Sequence, residues 1–586
     1  MKYTLTNSQA PTPNESMFAV LKKLWPYITN EKLRLVGAFL AILCNSGLTI
    51  LAPILVGRAV DHYIIRGDYH GVLVYVGYLL ATYLGMLLSG YIQTRIMGIV
   101  GQRILFNLRN AIFTRLQELP IAFFNQNKGG DLISRINNDT DKLNQFFSRS
   151  LMQFVGNVFV IIGAGIAMLV VNFTLGSAAL VPAVVLLVFA QLTTEWVKRK
   201  NLENLQTTGG MSAEIAESLQ NFKVIIAFNR RDYFRKKFEE VNEKNYHASI
   251  SSGIANSTYV PTFGLASNVG QMIVIVYGLY LISQGSFTFG LLISYLAYVS
   301  RFYDPLRQMA ALWSDLQTAL AAWERIGEIL AMKSNLTVVK ASEDAKGKGI
   351  IEFKKVGFQY PDGAPVLTNI NFVMYPGKTY ALVGPTGGGK TTTASLIARL
   401  YDPTEGTVYL NGQDIRTYEA DVRTAKIGFI LQDPFLFTGT VRENILYGNN
   451  AYAEYTNEQL VELLEREGLS DLLKRFDQGL DTPVTTSADG ISLGQKQLIA
   501  FMRALLRHPD ILILDEASAN IDTVTEQILD EILKRLPAQT ARVIIAHRLN
   551  TIENADEILF VNGGKITPAG SLDHAVELLT SGVKSS

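Results

Sequence analysis

The sequence has a single cysteine and few charged residues. Asp, Glu, Lys and Arg make up only 18% of its 586 residues and nearly cancel to a formal net charge of +1. With Cys44 alone, an intrachain disulfide is impossible, and we interpret this thiol as a small buried hydrophobe. A balanced charge gives no reason to expect nucleic acid as a partner. Residues 1–15 also lack the basic and apolar regions of a cleavable secretory signal.

Hydrophobic residues, in contrast, are abundant and concentrate in the first half of the chain. Six apolar segments there have roughly the 20 helical residues that a bilayer crossing requires. A buried core helix explains any one of them, but six such segments within residues 1–330 do not suit a soluble domain. The predicted spans are Leu35–Gly57, Val72–Ile92, Leu151–Val171, Leu175–Val197, Tyr259–Ile282 and Phe287–Leu312.

The connections between these segments alternate in character. Those after the third and fifth spans are short and uncharged, whereas those after the second and fourth are long, helix-like and rich in Lys and Arg. By the positive-inside rule, the basic connections and both termini are cytoplasmic. We expect the membrane helices to continue past the bilayer as rods that carry force, joined by turns near residues 125–130 and 212–220. Solvated helices without a coupling role are the alternative.

Individual residues of the membrane half allow more than one interpretation. For Arg301 and Asp304 we favour an ion pair near the cytoplasmic end of the sixth span over a place in a transport pathway. An interfacial helix is predicted for Met17–Tyr27, at about residues 16–30. Aromatic side chains in the spans either line a substrate cavity or pack between helices, and the sequence leaves both alternatives open. They are Phe159, Tyr259, Phe263, Tyr295, Tyr298 and Phe302.

A phosphate-binding motif lies in the second half of the chain. It fits G-x-x-x-x-G-K-[ST], follows the strand-like run 380–383 and precedes a helix-forming segment. Its glycine-rich backbone can direct N–H groups at a phosphate, Lys390 can reach the β- and γ-phosphates, and the Thr391 hydroxyl can hold Mg²⁺. The sequence therefore predicts ATP binding. The predicted ATP-contacting residues here are Gly384, Pro385, Thr386, Gly387, Gly388, Gly389, Lys390, Thr391 and Thr392.

Two carboxylates complete this chemistry. Residues 331–349 are predicted as a linker, and 350–586 alternate strands with helices, which indicates a mainly parallel sheet. Within it, the apolar strand 511–514 ends at Asp515 and Glu516. Asp515 is expected to hold Mg²⁺ and Glu516 to polarise the attacking water.

These motifs together resemble the ATP-binding-cassette exporter superfamily, over nearly the whole chain. Six spans followed by one cassette is that family's half-transporter layout. The resemblance implies that Tyr360 stacks on adenine and that Gln432 touches Mg²⁺. It also implies that Asp522 belongs to the loop crossing between cassettes, and that His547 contacts the γ-phosphate as a catalytic residue beside Lys390 and Glu516.

One motif departs from the family pattern. The family signature Leu-Ser-Gly-Gly-Gln, which contacts the nucleotide of the opposite cassette, is here Ile491 followed by Ser492, Leu493, Gly494 and Gln495. A leucine replaces a glycine where backbone must approach phosphate closely. We therefore expect a heterodimer, in which a partner half-transporter with an orthodox signature completes the hydrolytic site of this chain. A homodimer that tolerates the leucine is the alternative.

The expected fold is thus an all-α membrane domain of six helices followed by an α/β ATPase domain. The expected function is ATP-driven export of a hydrophobic or amphipathic substrate across the cytoplasmic membrane by alternating access. The alternatives are a homodimeric exporter of lipid or peptide and an ATP-gated channel or regulator. "Multidrug" transport rests on analogy alone, and the membrane spans argue against a soluble cassette ATPase.

Overall fold

The chain forms two compact units in a computed structural model. The structure describes residues 3–5, 31–336, 338–340, 347–361, 363–485, 491–515, 523–545, 552–571, 573–575 and 577–578. One unit, here the membrane unit, comprises the described parts of residues 5–117 and 129–332. The other, the cassette unit, comprises those of residues 1–4, 118–128 and 333–586. The interfacial helix predicted for Met17–Tyr27 lies outside the described residues.

The first half of the chain is helical. Its α-helices are α1 (Lys32–Ala59), α2 (Tyr69–Glu118), α3 (Ile121–Gln126), α4 (Gly129–Ser134), α5 (Thr140–Gln145), α6 (Leu151–Val171), α7 (Phe173–Gln220), α8 (Phe222–Ala227), α9 (Arg231–Ser257), α10 (Tyr259–Ser283) and α11 (Phe289–Ala331). Short π-helical turns occur at Val60–Ile64, Arg135–Asp139 and Phe146–Ser150.

Five helical stretches of the described chain are long and apolar enough to cross a membrane, judged by length and composition. They are Lys32–Ile64, Tyr69–Glu118, Gly129–Val171, Phe173–Gln220 and Arg231–Ser283. The sixth predicted span falls in α11, whose apolar sequence is interrupted by charge, and it stays a prediction.

The longest helices exceed the thickness of a bilayer. Helix α2 has 50 residues, or about 75 Å against the roughly 30 Å of a hydrocarbon core, which fits the expectation of rods. The turn predicted near residues 212–220 is wrong. Helix α7 continues to Gln220, because residues 213–220 are mostly strong helix formers, and the chain turns at Asn221.

Helix α11 packs into the core of the membrane unit through three tyrosines. Tyr295, Tyr298 and Tyr303 are at most 1% exposed. Each hydroxyl donates to a carbonyl outside α11: Tyr295 to Asn172 (2.8 Å), Tyr298 to Ile50 (2.7 Å) and Tyr303 to α7 (2.9 Å). Of the two alternatives left open above, helix packing therefore applies to Tyr295 and Tyr298.

A buried ion-pair network joins α11 to the segment that follows α3. Arg135 is fully buried, and its guanidinium donates to Asp131 (2.9 Å) and Glu328 (2.7 Å). Arg325 donates to Asp131 at 2.6 Å and lies 3.1 Å from the carboxylate of Asp139. Each arginine thus lies against two carboxylates. A buried arginine is tolerated when its charge is paired in this way.

Two expectations for the membrane half are wrong. Arg301 is exposed and does not pair with Asp304, whose carboxylate instead lies 3.9 Å from Arg307. A spacing of three residues places both partners on one face of the helix, so either arginine was geometrically suitable. Cys44 is exposed on α1 rather than buried. In a membrane, an apolar side chain gains no free energy from burial in the protein, because the surrounding lipid is also apolar.

The cassette unit contains two larger sheets. Their strands are β1 (Ile351–Gln359), β2 (Pro365–Met374), β3 (Thr379–Val383), β4 (Glu405–Leu410), β5 (Gln413–Asp414), β6 (Ile427–Ile430), β9 (Ile511–Asp515), β10 (Ala541–Ile545), β11 (Glu557–Asn562) and β12 (Lys565–Pro568), with a small ribbon of β7 (Gly439–Thr440) and β8 (Pro483–Val484). One sheet is antiparallel, in the order β2-β1-β4-β5, and the other runs β12-β11-β3-β10-β9-β6. In the second, only β12 is antiparallel to its neighbour.

The cassette unit also contains helices, and several of them share an apolar cluster with residues of β6 and β9. The helices are α12 (Lys390–Ile397), α13 (Ala420–Lys426), α14 (Val441–Leu446), α15 (Asn457–Arg466), α16 (Ser470–Leu473), α17 (Leu493–Leu505) and α18 (Thr523–Lys534). Leu460 and Leu464 of α15 are fully buried in one cluster with Ile499 of α17. This packing determines the position of the first residues of α17.

The amino-terminal residue Tyr3 clamps two segments of the cassette unit. Its backbone N–H donates to Gln126 (2.9 Å), at the end of α3, and its carbonyl accepts from Asn127 (2.9 Å). Its hydroxyl donates to the Asn335 side chain (2.9 Å) and accepts from the Asn335 backbone N–H (3.0 Å). With only 2% of its surface exposed, Tyr3 ties the α3 region to the segment that begins at Lys333.

Candidate functional site

The glycine-rich loop connects β3 to α12, as its motif predicts. Gly384 (φ +150°), Gly387 (φ +82°) and Gly389 (φ +111°) have backbone conformations that favour glycine. At Gly384, and also at Gly388, a Cβ would lie 2.1 and 2.5 Å from the carbonyl oxygen of Val561. The loop therefore folds tightly against β11 and opens at the N-terminus of α12, where backbone N–H groups can bind an anion.

The lysine and threonines of the motif lie at this opening. Lys390 is 6% exposed, and its ammonium donates to the carbonyls of Gly384 (2.8 Å) and Pro385 (3.0 Å), which holds a cation against the loop. The Thr391 side chain is exposed, whereas Thr392 is buried. A cation, a helix N-terminus and an exposed hydroxyl together suit a phosphate group and its Mg²⁺.

The strand register brings other predicted residues to the same edge of the sheet. Ile545, at the end of β10, pairs with Leu382 of β3 on one side and with Asp515 of β9 on the other. Asp515 is 8% exposed. Gln432 is exposed two residues after β6, which pairs with β9 in parallel. Oxygen atoms from Asp515, Gln432 and Thr391 thus come from neighbouring elements and are of the type that Mg²⁺ prefers.

Tyr360 lies beside the phosphate-binding motif in a cluster of aromatic rings. Its hydroxyl is 3.0 Å from that of Thr392. Its ring contacts Phe358 and Tyr401 edge to face, with centroids 4.9 and 5.3 Å apart. Burial raises the pKa of the Tyr401 hydroxyl, while a hydrogen bond from Asn125 lowers it. The cluster holds the Tyr360 ring next to α12, where the predicted stack on adenine stays a prediction.

The sequence reasoning missed Tyr401. Its hydroxyl bonds to the Asn125 side chain at 2.9 Å, a contact between residues 276 positions apart. The only signal in the sequence is an aromatic residue shortly after the motif's helix, which many buried positions share. This contact connects the α3 region directly to the ring that supports Tyr360.

The residues predicted as a signature open the 13-residue helix α17. Ser492 and Gln495 form a capping box, with the Ser492 hydroxyl accepting from the Gln495 N–H (3.1 Å) and the Gln495 side chain accepting from the Ser492 N–H (3.0 Å). Leu493 is the first residue of the helix and is 36% exposed, and Gly494 follows it. The motif is therefore a surface helix N-terminus, a site suited to an anion.

Three predicted residues fall outside the part of the chain that the structure describes. Glu516 follows directly after β9, His547 comes two residues after β10, and Asp522 immediately precedes α18. Their roles stay predictions from the motif and the resemblance.

Comparison with known proteins identifies both halves. Residues 35–306 match the ABC transporter transmembrane region, and residues 367–519 match the ABC transporter family. The uncharacterized ABC transporter ATP-binding protein YfiC of Bacillus subtilis is 33% identical over 571 residues, which are 95% of this chain and 92% of YfiC. A fatty acid ABC transporter ATP-binding/permease protein of Mycobacterium bovis is 31% identical, covering 81% of this chain and 74% of that protein.

A third relative is a multidrug resistance ABC transporter ATP-binding and permease protein of Lactococcus lactis. It is 30% identical and covers 80% of this chain and 79% of its own length. The matched regions coincide with the apolar helices and with the phosphate-binding loop described above. A helical transmembrane region followed by an ATPase domain, at this level of identity, places the chain in the ABC transporter family, as a half-transporter of the exporter type.

Proposed function

We propose that this chain is one half of an exporter that uses ATP to move a hydrophobic or amphipathic substrate across the cytoplasmic membrane. In this proposal both termini and the cassette unit face the cytoplasm, because the basic connections favour that side. Relatives described as fatty acid and multidrug transporters, and an ATP-dependent lipid A-core flippase of Pectobacterium atrosepticum that is 29% identical over 97% of this chain, support an amphipathic substrate.

The proposed ATP chemistry assigns a task to each residue at the sheet edge. Lys390 and the loop amides neutralise charge on the transferring phosphoryl group, and Glu516 orients the attacking water. Thr391, Gln432 and Asp515 would hold Mg²⁺, which supplies further charge neutralisation. His547 would contact the γ-phosphate. Alternating access follows if nucleotide binds more tightly when two cassettes close over it.

We further propose that the second half is a different chain. The observation that carries this is Leu493, because its branched side chain is exposed at the first turn of α17. The family pattern has a glycine there, which lets backbone approach the partner's phosphate. The loop of this chain keeps every motif residue, so a partner with an orthodox signature would complete a competent site on it. The altered α17 would then cover the weaker second site.

One structural observation favours the competing homodimer. The capping box of Ser492 and Gln495 is intact, so the first turn of α17 forms regularly despite the leucine. A homodimer would then bind nucleotide at two equivalent sites, each with a less close contact at Leu493.

ATPase activity of the chain alone separates the two. In lipid nanodiscs, the chain without a partner is expected to hydrolyse ATP slowly, since Leu493 faces both nucleotides. The substitution Leu493→Gly should raise that rate at least about tenfold, and Leu493→Ala should raise it less. Rapid, transport-coupled hydrolysis by the unmodified chain alone would refute the heterodimer.

The catalytic assignment has its own test. Glu516→Gln should leave ATP binding intact and slow hydrolysis by about 100-fold or more, because the water loses its base. Binding is measured with a fluorescent ATP analogue and hydrolysis by phosphate release, with any partner present. Unchanged turnover in this variant would show that another group activates the water.

A further inference from the structure

An open cavity with both polar and apolar lining lies within the membrane unit, separate from the ATP site. It has a volume of about 380 Å³ and is lined by Gln145, Arg149, Gln153, Gln308, Ala311, Leu312 and Asp315. Five of these seven side chains are polar or charged, although the cavity borders the apolar stretches of α6 and α11. Side chains of these types can donate and accept hydrogen bonds with a polar ligand.

Local structure points the polar side chains of one segment to the same place. Gln145, Arg149 and Gln153 are four residues apart, a spacing that places them on one helical face, and all three are exposed. Their neighbours Phe146 and Phe147 are buried. Arg149 lies in the π-helical turn Phe146–Ser150, a distortion often found at functional sites.

The cavity contains one charge of each sign. Arg149 has neither a hydrogen bond nor an ion pair with any residue in the described part of the chain. Asp315 is positioned by the hydroxyl of Ser150, which donates to one of its carboxylate oxygens at 2.6 Å. The three glutamine amides add donors and acceptors without net charge. A polar head group with both an anion and a cation would match this lining.

The depth of the cavity fits a lipid head group. Asp315 is 26 residues along α11 from Phe289, which is about 39 Å at 1.5 Å per residue. Arg149 lies two residues before the apolar helix α6, which at about 31 Å spans the hydrocarbon thickness. Both charges therefore lie near the cytoplasmic ends of their spans, at the level of the inner-leaflet head groups in the proposed orientation.

We infer that this cavity binds the zwitterionic head of an amphipathic substrate, with phosphate or carboxylate at Arg149 and an ammonium at Asp315. The apolar body of the substrate would remain along the helices in the bilayer. This inference rests on the proposed export function and names the class of its substrate. Arginine suits the anion because its guanidinium can donate two parallel hydrogen bonds to it.

Binding of acyl-labelled lipids to the full-length protein in nucleotide-free nanodiscs tests the inference. We expect phosphatidylethanolamine to bind more tightly than phosphatidylglycerol, diacylglycerol or an alkylamine with the same label. Arg149→Gln should weaken the binding of phosphatidylethanolamine and of phosphatidylglycerol about tenfold but leave the binding of the alkylamine unchanged. Asp315→Asn should weaken the binding of phosphatidylethanolamine and of the alkylamine but leave the binding of phosphatidylglycerol unchanged.

Arg307→Gln is the matched control, because this arginine is exposed next to Gln308 but does not line the cavity. It should leave all affinities unchanged, and equal losses in Arg149→Gln and Arg307→Gln would overturn the inference. So would a fall in dimer content without any loss of lipid binding in Arg149→Gln, since that would make the arginine a subunit contact. The binding assay contains no nucleotide, so it tests the cavity separately from export. Lipid binding as predicted, together with no ATP-driven transport of the lipid, would count against the export function and not against the cavity.

Discussion

Removing the guanidinium of Arg135 should destabilise the membrane unit strongly. The side chain is fully buried and donates to Asp131 and Glu328 at 2.9 and 2.7 Å. Arg135→Met keeps most of the volume but leaves Glu328 without its arginine. Breaking a buried pair in this way costs about 3–5 kcal/mol. At about 2 °C per kcal/mol for a large unit, the apparent melting temperature in detergent should fall by roughly 6–10 °C.

Two comparisons make this prediction specific. Lys200→Ala removes a pair of similar geometry, 2.8 Å from Glu203, but one whose side chains are 30% and 52% exposed. It should cost about 0–1 kcal/mol. Replacing Glu328 as well, in Arg135→Met/Glu328→Met, should recover part of the lost stability because the carboxylate that faced the guanidinium is removed together with it. A melting temperature that falls equally in Arg135→Met and Lys200→Ala would refute the reasoning.

The cassette unit provides further tests. Gly384→Ala should abolish binding of a fluorescent ATP analogue, because a Cβ there would lie 2.1 Å from a backbone oxygen and the φ of +150° favours glycine; retained binding would contradict the loop geometry. Tyr360→Leu should weaken binding of the same analogue by about three- to tenfold through loss of stacking, whereas substitution of the exposed Tyr375 by Leu should leave binding unchanged. Equal effects of the two substitutions would show that adenine does not stack on Tyr360. Tyr3→Phe leaves the Asn335 N–H without its acceptor, so amide exchange at residues 333–335 should become faster. Unchanged exchange there would show that the Tyr3 hydroxyl adds no local stability.

The ATP site could be predicted from the sequence because its geometry is local or follows from a simple rule. The spacing of Gly384, Gly389 and Lys390 alone specifies a loop between a strand and a helix. Parallel strands end at one edge, so Asp515 was expected near that loop once both strands were recognised. The contact of Tyr401 with Asn125 could not be predicted, because it joins distant segments and neither residue type is distinctive.

The membrane half illustrates a different limit. Hydropathy locates the helices, since only a long apolar segment can cross a bilayer. It does not say which face of a helix packs inward, because lipid and protein interior are both apolar. Cys44 and Tyr295 are therefore alike in the sequence, yet one is exposed and the other buried. The cavity lining around Arg149 could not be predicted for a related reason, because its residues come from the region of α5 and α6 and from α11, which are distant in the chain.

The position of Tyr3 has a practical consequence for anyone who purifies this protein. A histidine tag or fluorescent fusion introduced close to Tyr3 would lie beside a residue that is 2% exposed and that is hydrogen-bonded through both its backbone and its hydroxyl. Such an addition would have to leave the surface at that point without pulling Tyr3 from Asn335. Genetic tags are better placed elsewhere, and preparations that carry an amino-terminal one should be compared with a cleaved sample before their kinetics are interpreted.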